Sequence, residues 1–277
     1  MFSFKSKLKM LCFTCFVMIF SLVHTSAAVS HDPKVLVAYF PYDFGLLRDK
    51  VTPVPDYQGW PIDRIEKDFM RFSDMGVDGV LVGLPIDGLA EANMAESYEL
   101  FMDVLARHDE WPDIAFFVYV NEELSSKSED FFKSWVVENL SSQPQKYLTL
   151  DGRPLVVFGP RLKWRFRHPA LTIRLSAPEF EEWPIDTVKP MRGSASEIEA
   201  VWISPVSMDL VVTSERTLMR SRNAFEFEEK LRDVLEPGHV QYIILYSWND
   251  YRGGTFLEPN SIDGYDMSRA VYRALHR

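Results

Sequence analysis

Cysteine is almost absent from this chain of 277 residues, which has only Cys12 and Cys15. Both lie in the first 28 residues, so the rest of the chain cannot form a disulfide. Neither stands at the end of an apolar segment, where a lipid would be attached. The sequence therefore excludes a disulfide-stapled scaffold and disfavours a lipoprotein. An exported protein without disulfides is compatible with a bacterial periplasm or exterior.

Long apolar runs are also scarce, and the one at the N-terminus has the pattern of a targeting signal. Lys5, Lys7 and Lys9 precede an apolar stretch at 10–23, and the small residues Thr-Ser-Ala-Ala follow at 25–28. This order is typical of a secretory signal cleaved near its second alanine. The alternative, an uncleaved membrane anchor, needs roughly 20 apolar residues. We predict a signal peptide at 1–28, a secreted or periplasmic protein, and no stable membrane span after cleavage.

Basic residues are fewer than acidic residues in this chain. The chain has 30 Lys and Arg against 40 Asp and Glu, a net charge of -10, and cleavage would also remove three lysines, making it -13. Binding to nucleic acid depends on clustered Lys and Arg, so this balance argues against a nucleic-acid partner. A neutral ligand such as a glycan fits better. The sequence makes no prediction of the oligomeric state.

Several motifs of cofactor and nucleophile sites are missing. No G-x-S-x-G is present, which argues against a serine hydrolase of that type. Phosphate-binding loops are absent, and the 6 histidines have no metal-ligand spacing. We therefore predict neither a cofactor nor a metal.

The rest of the chain has no linker, repeat or low-complexity tract, which predicts one domain over 33–277. Short apolar runs alternate with amphipathic stretches. The predicted strands are 35–40, 79–84, 114–120, 154–158, 171–175, 200–203, 210–213 and 240–246. The predicted helices are 62–72, which begins after a proline, 92–107, 128–140, 225–235 and 265–276.

This alternation predicts parallel βα units, because strands that are apolar throughout are covered on both faces. Eight such strands predict a (β/α)8 barrel, with an open doubly wound sheet as the alternative. The segment 160–207 has few clear helices, so we expect the barrel to be irregular there. In such barrels the site lies at the carboxyl ends of the strands.

The segment at the end of the last predicted strand has the sequence Tyr-Ser-Trp-Asn-Asp-Tyr-Arg-Gly-Gly-Thr-Phe-Leu-Glu-Pro at 246–259. It resembles the S-W-N-E-W-x-E-G-T-x-x-E-P motif of family 99 glycoside hydrolases and their WbsX-like relatives. Two weaker similarities are Asp-Gly-Arg-Pro-Leu at 151–155 and Val-Asn-Glu at 120–122. The resemblance implies a (β/α)8 barrel. It also implies a function in cleaving α-mannosidic linkages or in surface-polysaccharide metabolism.

In the enzymes of this family the motif supplies two carboxylates. One assists attack by the sugar's own 2-hydroxyl, and the other protonates the leaving oxygen. By position, the first corresponds to Asp250 and the second to Gly253, which has no acid. Asp is also one methylene shorter than the family's Glu. The resemblance therefore supports a glycan site more strongly than catalysis.

Other residues at the predicted strand ends complete the candidate site. Glu122 and Glu123 end the third strand and are the alternative acids, because most glycosidases use two carboxylates about 5–10 Å apart. We predict Asp250 and Glu122 as catalytic residues. The predicted substrate-binding residues are Asn249, Trp248, Tyr251, Arg252, Tyr39, Tyr42, Asn121 and Glu258.

Each candidate also has a structural alternative. Asp250 could cap a turn, Glu258 could order its loop, and the aromatic residues could belong to the core. We expect Trp202 to fill the interior of the barrel.

Three functions remain open at this stage. The first is a secreted glycoside hydrolase-like protein acting on α-linked, mannose-type glycans or bacterial polysaccharide. The second is a catalytically inactive glycan-binding protein that keeps the pocket. The third is an accessory factor in surface-polysaccharide assembly that works through protein contacts.

Overall fold

A computed structural model describes residues 32–41, 62–85, 92–119, 134, 146–150, 152–158, 171–175, 188–192, 197–212, 218–236, 240–250 and 254–276. The chain from Asp32 to Arg277 forms one compact unit. Its N-terminal half alternates strands and helices, in the order β1 (Lys34–Tyr39), α1 (Ile62–Met75), β2 (Gly79–Pro85), α2 (Ala92–Leu105) and β3 (Asp113–Tyr119). These bounds lie within three residues of the predicted ones.

The second half contains more strands than helices. It continues with β4 (Thr149–Leu150), β5 (Arg153–Phe158), β6 (Thr172–Leu175), β7 (Val188–Arg192), β8 (Glu197–Ile203), β9 (Val206–Val212), β10 (Leu218–Arg222), α3 (Ala224–Val234), β11 (Tyr242–Leu245) and α4 (Asp266–Leu275). The helix predicted at 128–140 lies outside the described residues except for Ser134, which is helical.

Local features of the sequence explain the positions of α1 and α3. On α1, the spacing of Ile65, Phe69 and Phe72 places all three on one face, and all three are buried. On α3, the Asn223 side chain accepts hydrogen bonds from the backbone N–H groups of Phe225 and Glu226. This N-cap satisfies two amides that the helix itself leaves unbonded.

The main sheet has the strand order β3-β2-β1-β11-β8-β7-β6-β5-β4, and β3 also pairs with β5. Among the described strands, β1, β2, β3, β5, β6, β8 and β11 run parallel to one another. Strand β7 runs antiparallel to both of its neighbours. The fold is therefore a mixed sheet with helices, and the regular eight-stranded parallel pattern is not present in the described residues.

One predicted strand lies elsewhere. The apolar run at 210–213 belongs largely to β9, which forms an antiparallel two-stranded sheet with β10. The connection from β8 to β9 is only Ser204-Pro205, whereas a parallel crossover takes a dozen or more residues. Besides its seven parallel strands, the main sheet contains β7, within the segment expected to be irregular, and the two-residue strand β4.

The core is rich in aromatic side chains on both sides of the sheet. Toward the helices, Tyr39 of β1 packs against Phe69 and Phe72 of α1, with ring centroids 5.9 and 5.6 Å apart. On the opposite side, Phe117 of β3 meets Trp202 of β8 at 5.4 Å. Strands β3 and β8 are not neighbours, so the sheet curves to bring these rings together, and we call this its concave side. Trp202 is 1% exposed, which agrees with the predicted interior position.

Within the described part of the chain, no helix combines the length and apolar character needed to cross a membrane.

Candidate functional site

The segment that follows β11 lies between the ends of two neighbouring strands. The backbone N–H of Tyr246 donates to the carbonyl of Ile203 at the end of β8, at 2.8 Å. The N–H of Trp248 donates to the carbonyl of Ala38 in β1, at 2.7 Å. The peptide bond between Tyr246 and Ser247 is cis. The motif thus starts at the carboxyl end of the sheet, where the sequence predicts the site.

Asn249 links the carboxyl ends of β1 and β11. Its Oδ1 accepts from the backbone N–H of Phe40 and its Nδ2 donates to the carbonyl of Phe40, both at 2.9 Å. The residue is 3% exposed. The sequence predicts a contact to sugar, but the structure uses this amide to bind the backbone of β1, so Asn249 has a structural role here.

Asp250 lies one residue further, at the edge of the buried region, and is 8% exposed. Its Oδ2 accepts a hydrogen bond from the hydroxyl of Tyr246 at 3.1 Å. Its backbone N–H donates to Ser247 Oγ at 2.9 Å, and its carbonyl accepts from Thr255 N–H at 3.2 Å. The position of this carboxylate is therefore set by both its backbone and its side chain.

The two arms of the motif are bonded to each other on either side of residues 251–253, which lie outside the described part. Ser247 N–H donates to the Thr255 carbonyl at 2.7 Å. Gly254 has a φ of 69°, a conformation that glycine adopts without steric cost. The described residues on the two sides of 251–253 are therefore held to each other by backbone hydrogen bonds.

Arg222, at the end of β10, holds the second arm. Its Nη1 donates to the Gly254 carbonyl at 2.9 Å and its Nε donates to Asp263 Oδ2 at 2.6 Å. The guanidinium carbon also lies 4.0 Å from the centroid of the Phe256 ring. Sequence reasoning did not find Arg222, because its partners lie more than thirty residues away along the chain and no local motif marks it.

Two predicted sugar platforms belong to the core. Trp248 and Tyr39 are both 0% exposed. The Trp248 ring meets Phe72 of α1 edge to face at 5.0 Å, and Tyr39 packs among the rings of α1 and Phe101. A stacking platform must present a ring face to its ligand, and neither residue does so. The structure therefore gives them a packing role.

Glu258 lies in a buried charged cluster. It is 0% exposed, and Arg64 Nη2 of α1 donates to its two carboxylate oxygens at 3.3 and 3.2 Å. Arg64 Nε lies 3.6 Å from Asp68 Oδ2, and the Tyr39 hydroxyl donates to the same oxygen at 3.3 Å. Glu258 thus joins the motif to α1, which agrees with the alternative in which it orders its loop.

Burial dominates the electrostatics of this cluster. It raises the pKa of the Asp68 carboxyl, although Arg64, Arg71, Trp248 and Tyr39 each lower it. Burial also raises the pKa of the Tyr39 hydroxyl well above its ordinary value, and the charge of Asp68 raises it further. Tyr39 therefore stays protonated and acts as a donor.

The concave side beneath Asp250 is aromatic. Tyr246 packs edge to face on Phe40 at 5.8 Å and lies 6.1 Å from Trp202. Gly83 of β2 makes room for Phe40, since a Cβ at that position would lie 2.2 Å from the Phe40 ring. These side chains, together with Phe117, form an inner aromatic cluster that supports Asp250 from below.

Of the ten predicted site residues, the structure describes Tyr39, Trp248, Asn249, Asp250 and Glu258. Of these five, Asp250 has the largest exposed fraction, 8%, and stays a candidate for contact with a ligand. The other predicted residues lie outside the described part and stay predictions: Tyr42, Asn121, Glu122, Tyr251 and Arg252. Among the described residues, no group of three or more His, Cys, Asp or Glu could hold a metal ion.

A cavity of about 440 Å³ lies away from this motif, between β8 and α3. Val201 and Ile203 line it from the sheet, and acidic residues of α3 line it from the helix.

Three solved structures with a similar fold are two of a family 99 endo-α-mannosidase and one of a glycoside hydrolase-like protein. A family 99 endo-α-mannosidase from Bacteroides thetaiotaomicron, in complex with Bis-Tris propane, superposes with a TM-score of 0.58 at 13% identity, covering 89% of this chain and 97% of that one. Another structure of the enzyme from the same organism has a TM-score of 0.54 at 12% identity, covering 90% and 97% of the two chains. A glycoside hydrolase-like protein has a TM-score of 0.54 at 12% identity, covering 90% and 95%. No protein-family model matches the sequence, and no curated protein matches it. At these identities the comparisons show that the chain has a fold like that of family 99 glycoside hydrolases.

Proposed function

We propose that this protein is a glycoside hydrolase-like protein acting on α-linked, mannose-type glycans or bacterial polysaccharide, with Asp250 as the assisting carboxylate. The observation that carries the proposal is the place of Asp250. It stands at the carboxyl end of the sheet, 8% exposed, with its Oδ2 bonded to Tyr246 at 3.1 Å. A carboxylate at this edge of such a fold is where glycosidase chemistry takes place.

The likeness of fold supports a glycan ligand, because the similar structures are an endo-α-mannosidase and a glycoside hydrolase-like protein. The motif at 246–259 supports the same site independently, since it stands at this sheet edge. We also propose that the strands close into a (β/α)8-type barrel. The second pairing of β3, with β5, supports this closure.

The second acid is the open part of the mechanism. Gly253 occupies the position of the family's proton donor. Loss of general acid catalysis costs about 10²–10⁴ in rate. Glu122, in the segment predicted to follow β3, is our candidate for a replacement acid. If no residue replaces this acid, the glycine at position 253 favours the second candidate function, a catalytically inactive glycan-binding protein.

A paired rate measurement tests the proposal. Fluoride leaves without protonation, so an enzyme that lacks its acid should still cleave the α-fluoride of a mannose disaccharide while soluble α-mannan resists. We expect Gly253→Glu to raise the rate on α-mannan more than the rate on the fluoride. Asp250→Asn should abolish turnover of both, and Glu122→Gln is the matched control for a replacement acid.

Each other outcome has a distinct meaning. Rapid cleavage of α-mannan by the natural sequence, lost in Glu122→Gln, would identify Glu122 as the acid. Binding of α-mannan without turnover of either substrate would favour the glycan-binding protein. Absence of both binding and turnover across a panel of α-linked glycans would overturn the proposed function.

We further propose that residues 1–28 form a cleaved signal peptide and that the protein is exported. Three lysines, the apolar stretch and the two adjacent alanines support this. The intact mass of the exported protein should correspond to a chain that begins near residue 28 or 29. Recovery of the full-length chain in the membrane fraction would contradict cleavage.

A further inference from the structure

We infer that Tyr246 is the positioning residue for the Asp250 carboxylate. The hydroxyl of Tyr246 donates to Asp250 Oδ2 at 3.1 Å, and both residues are buried, at 3% and 8% exposure. This inference rests on the proposed function, because it assigns Tyr246 a role through the carboxylate of the same site.

Tyr246 is itself rigidly held, as a positioning residue must be. Its backbone N–H donates to the carbonyl of Ile203 at 2.8 Å. Its ring packs against Phe40 at 5.8 Å with an interplanar angle of 78°, and against Trp202 at 6.1 Å. The ring of Tyr246 is thus held by the inner aromatic cluster.

The backbone of Asp250 is fixed independently of Tyr246. Its N–H is bonded to Ser247 Oγ and its carbonyl to Thr255 N–H. The rotations about the two side-chain bonds therefore decide where the carboxylate points. A hydrogen bond from a rigid phenol removes most of that freedom, and precise placement of a reacting group is worth about a hundredfold in rate per ångström.

The bond with Tyr246 takes up only a small part of the hydrogen-bonding capacity of the carboxylate. An ionised carboxylate has about four acceptor positions on its two oxygens, and the Tyr246 hydroxyl uses one of them. The Asp side chain is also one methylene shorter than Glu. The hydrogen bond to its Oδ2 therefore determines the direction in which this short side chain points. Tyr246 is a positioning residue and not a catalytic one, since its hydroxyl acts through Asp250.

A double-mutant cycle tests the inference, with Tyr246→Phe, Asp250→Asn and the combined variant. The ligand probe is soluble α-mannan, and the substrate probe is the α-fluoride of a mannose disaccharide. The matched control is Tyr98→Phe, because the Tyr98 hydroxyl is equally buried and donates to a backbone carbonyl, that of Gly83. An NMR-active label on the Asp carboxyl carbons reports the environment of the Asp250 carboxylate without any ligand. The Asp250 signal is the one that is missing in Asp250→Asn.

We expect Tyr246→Phe to shift the NMR signal of Asp250 and to lower kcat on the fluoride about tenfold with little change in KM. If the protein only binds glycan, the same variant should raise the Kd for α-mannan about tenfold. The combined variant should lose no more activity or affinity than Asp250→Asn alone, since both changes act through the same carboxylate. Tyr98→Phe should leave the Asp250 signal, the rate and the affinity unchanged.

An unchanged Asp250 signal in Tyr246→Phe would overturn the inference, whatever the glycan assays show. Equal losses in Tyr246→Phe and Tyr98→Phe would also overturn it, because they would indicate general loosening of the core. If Asp250→Asn leaves both probes unaffected, the proposed function is wrong for this residue, and Tyr246 and Asp250 are only a structural pair.

Discussion

The segment after β11 has two faces that differ in chemistry. Tyr246 and Asp250 lie on the concave side, above Phe40 and Trp202. Trp248 and Glu258 lie on the side of α1, against Phe72 and Arg64. The first face bears the candidate carboxylate, and the second anchors the motif. A motif found in sequence can therefore consist largely of anchors.

Charge is distributed differently between the two faces. The α1 side buries Arg64, Asp68 and Glu258, with 3%, 0% and 0% exposure. The concave side beneath Asp250 is aromatic. Buried charges strongly destabilise a protein when one partner is removed, whereas a carboxylate at the edge can be changed at small cost. We therefore expect stability to depend most on the α1 side and ligand binding to depend on the concave side.

The largest expected effect is that of Glu258→Gln. This change removes the negative charge of Glu258 from the buried guanidinium of Arg64, whose Nε lies 3.6 Å from Asp68 Oδ2. Removing one partner of a buried pair costs about 3–5 kcal/mol, which lowers Tm by roughly 6–15 °C in a chain of this size. The difference in Tm between Glu258→Gln and the natural protein is measured by thermal unfolding.

The control for Glu258→Gln is Glu110→Gln, which breaks the exposed pair of Glu110 with His108 at 3.1 Å. We expect no change in Tm there, because exposed pairs contribute little. If both variants unfold at the temperature of the natural protein, the cluster beside α1 does not anchor the motif.

Gly83→Ala has the next largest effect and acts on the concave side. The new Cβ would lie 2.2 Å from the Phe40 ring, so the ring has to move. Overpacking of this kind costs about 1–3 kcal/mol of stability. It should also weaken the binding of α-mannan or the turnover of the α-fluoride, because Phe40 packs against Tyr246. Urea denaturation measures the loss. Phe40→Leu in the same chain should recover part of it, and strict additivity of the two changes would contradict the packing argument.

The regular part of the fold could be predicted from sequence because its signals are local. The face of Ile65, Phe69 and Phe72 gave the correct position for α1. The run at 210–213 was assigned to the main sheet wrongly, since an apolar strand of a hairpin looks the same as one of a parallel sheet. The two-residue connection before β9 was the available signal against it.

The contacts of the individual motif residues were harder to predict than the helices and strands. Asn249 binds the backbone of Phe40, which lies 209 residues away along the chain. No local pattern reports such a partner, and the same holds for Arg64 and Glu258, 194 residues apart. Residues 246–250 lie beyond the end of β11 and include bends at 248 and 249, so the alternation of an extended strand does not apply to them.

Asp68→Asn has a smaller effect whose sign depends on pH. Burial raises the pKa of Asp68 in the folded protein above its ordinary value of 3.8, so the folded state keeps this proton longer than the unfolded state. Unfolding free energy therefore falls as pH rises from the ordinary value through the raised one. The asparagine variant lacks this titration. Its stability relative to the natural protein should increase from about pH 4 towards neutral pH, as measured by urea denaturation. A difference that is flat or falls with pH would contradict the raised pKa.

The smallest effect on stability is that of Asp250→Asn, and it distinguishes the two faces most directly. The amide oxygen of asparagine can still accept the hydrogen bond from Tyr246, and the backbone bonds of residue 250 to Ser247 and Thr255 do not involve its side chain. We expect the free energy of unfolding to change by at most about 1 kcal/mol, because asparagine keeps the shape of the side chain and these hydrogen bonds. Glycan binding or turnover should nevertheless fall at least tenfold, since the variant lacks the proposed assisting carboxylate. Glu258→Gln is the converse case, because it should lower Tm strongly and act on the glycan probes only through the loss of folded protein. A large loss of Tm in Asp250→Asn with unaltered affinity for α-mannan would make Asp250 a turn cap, and both faces of the motif would then be structural.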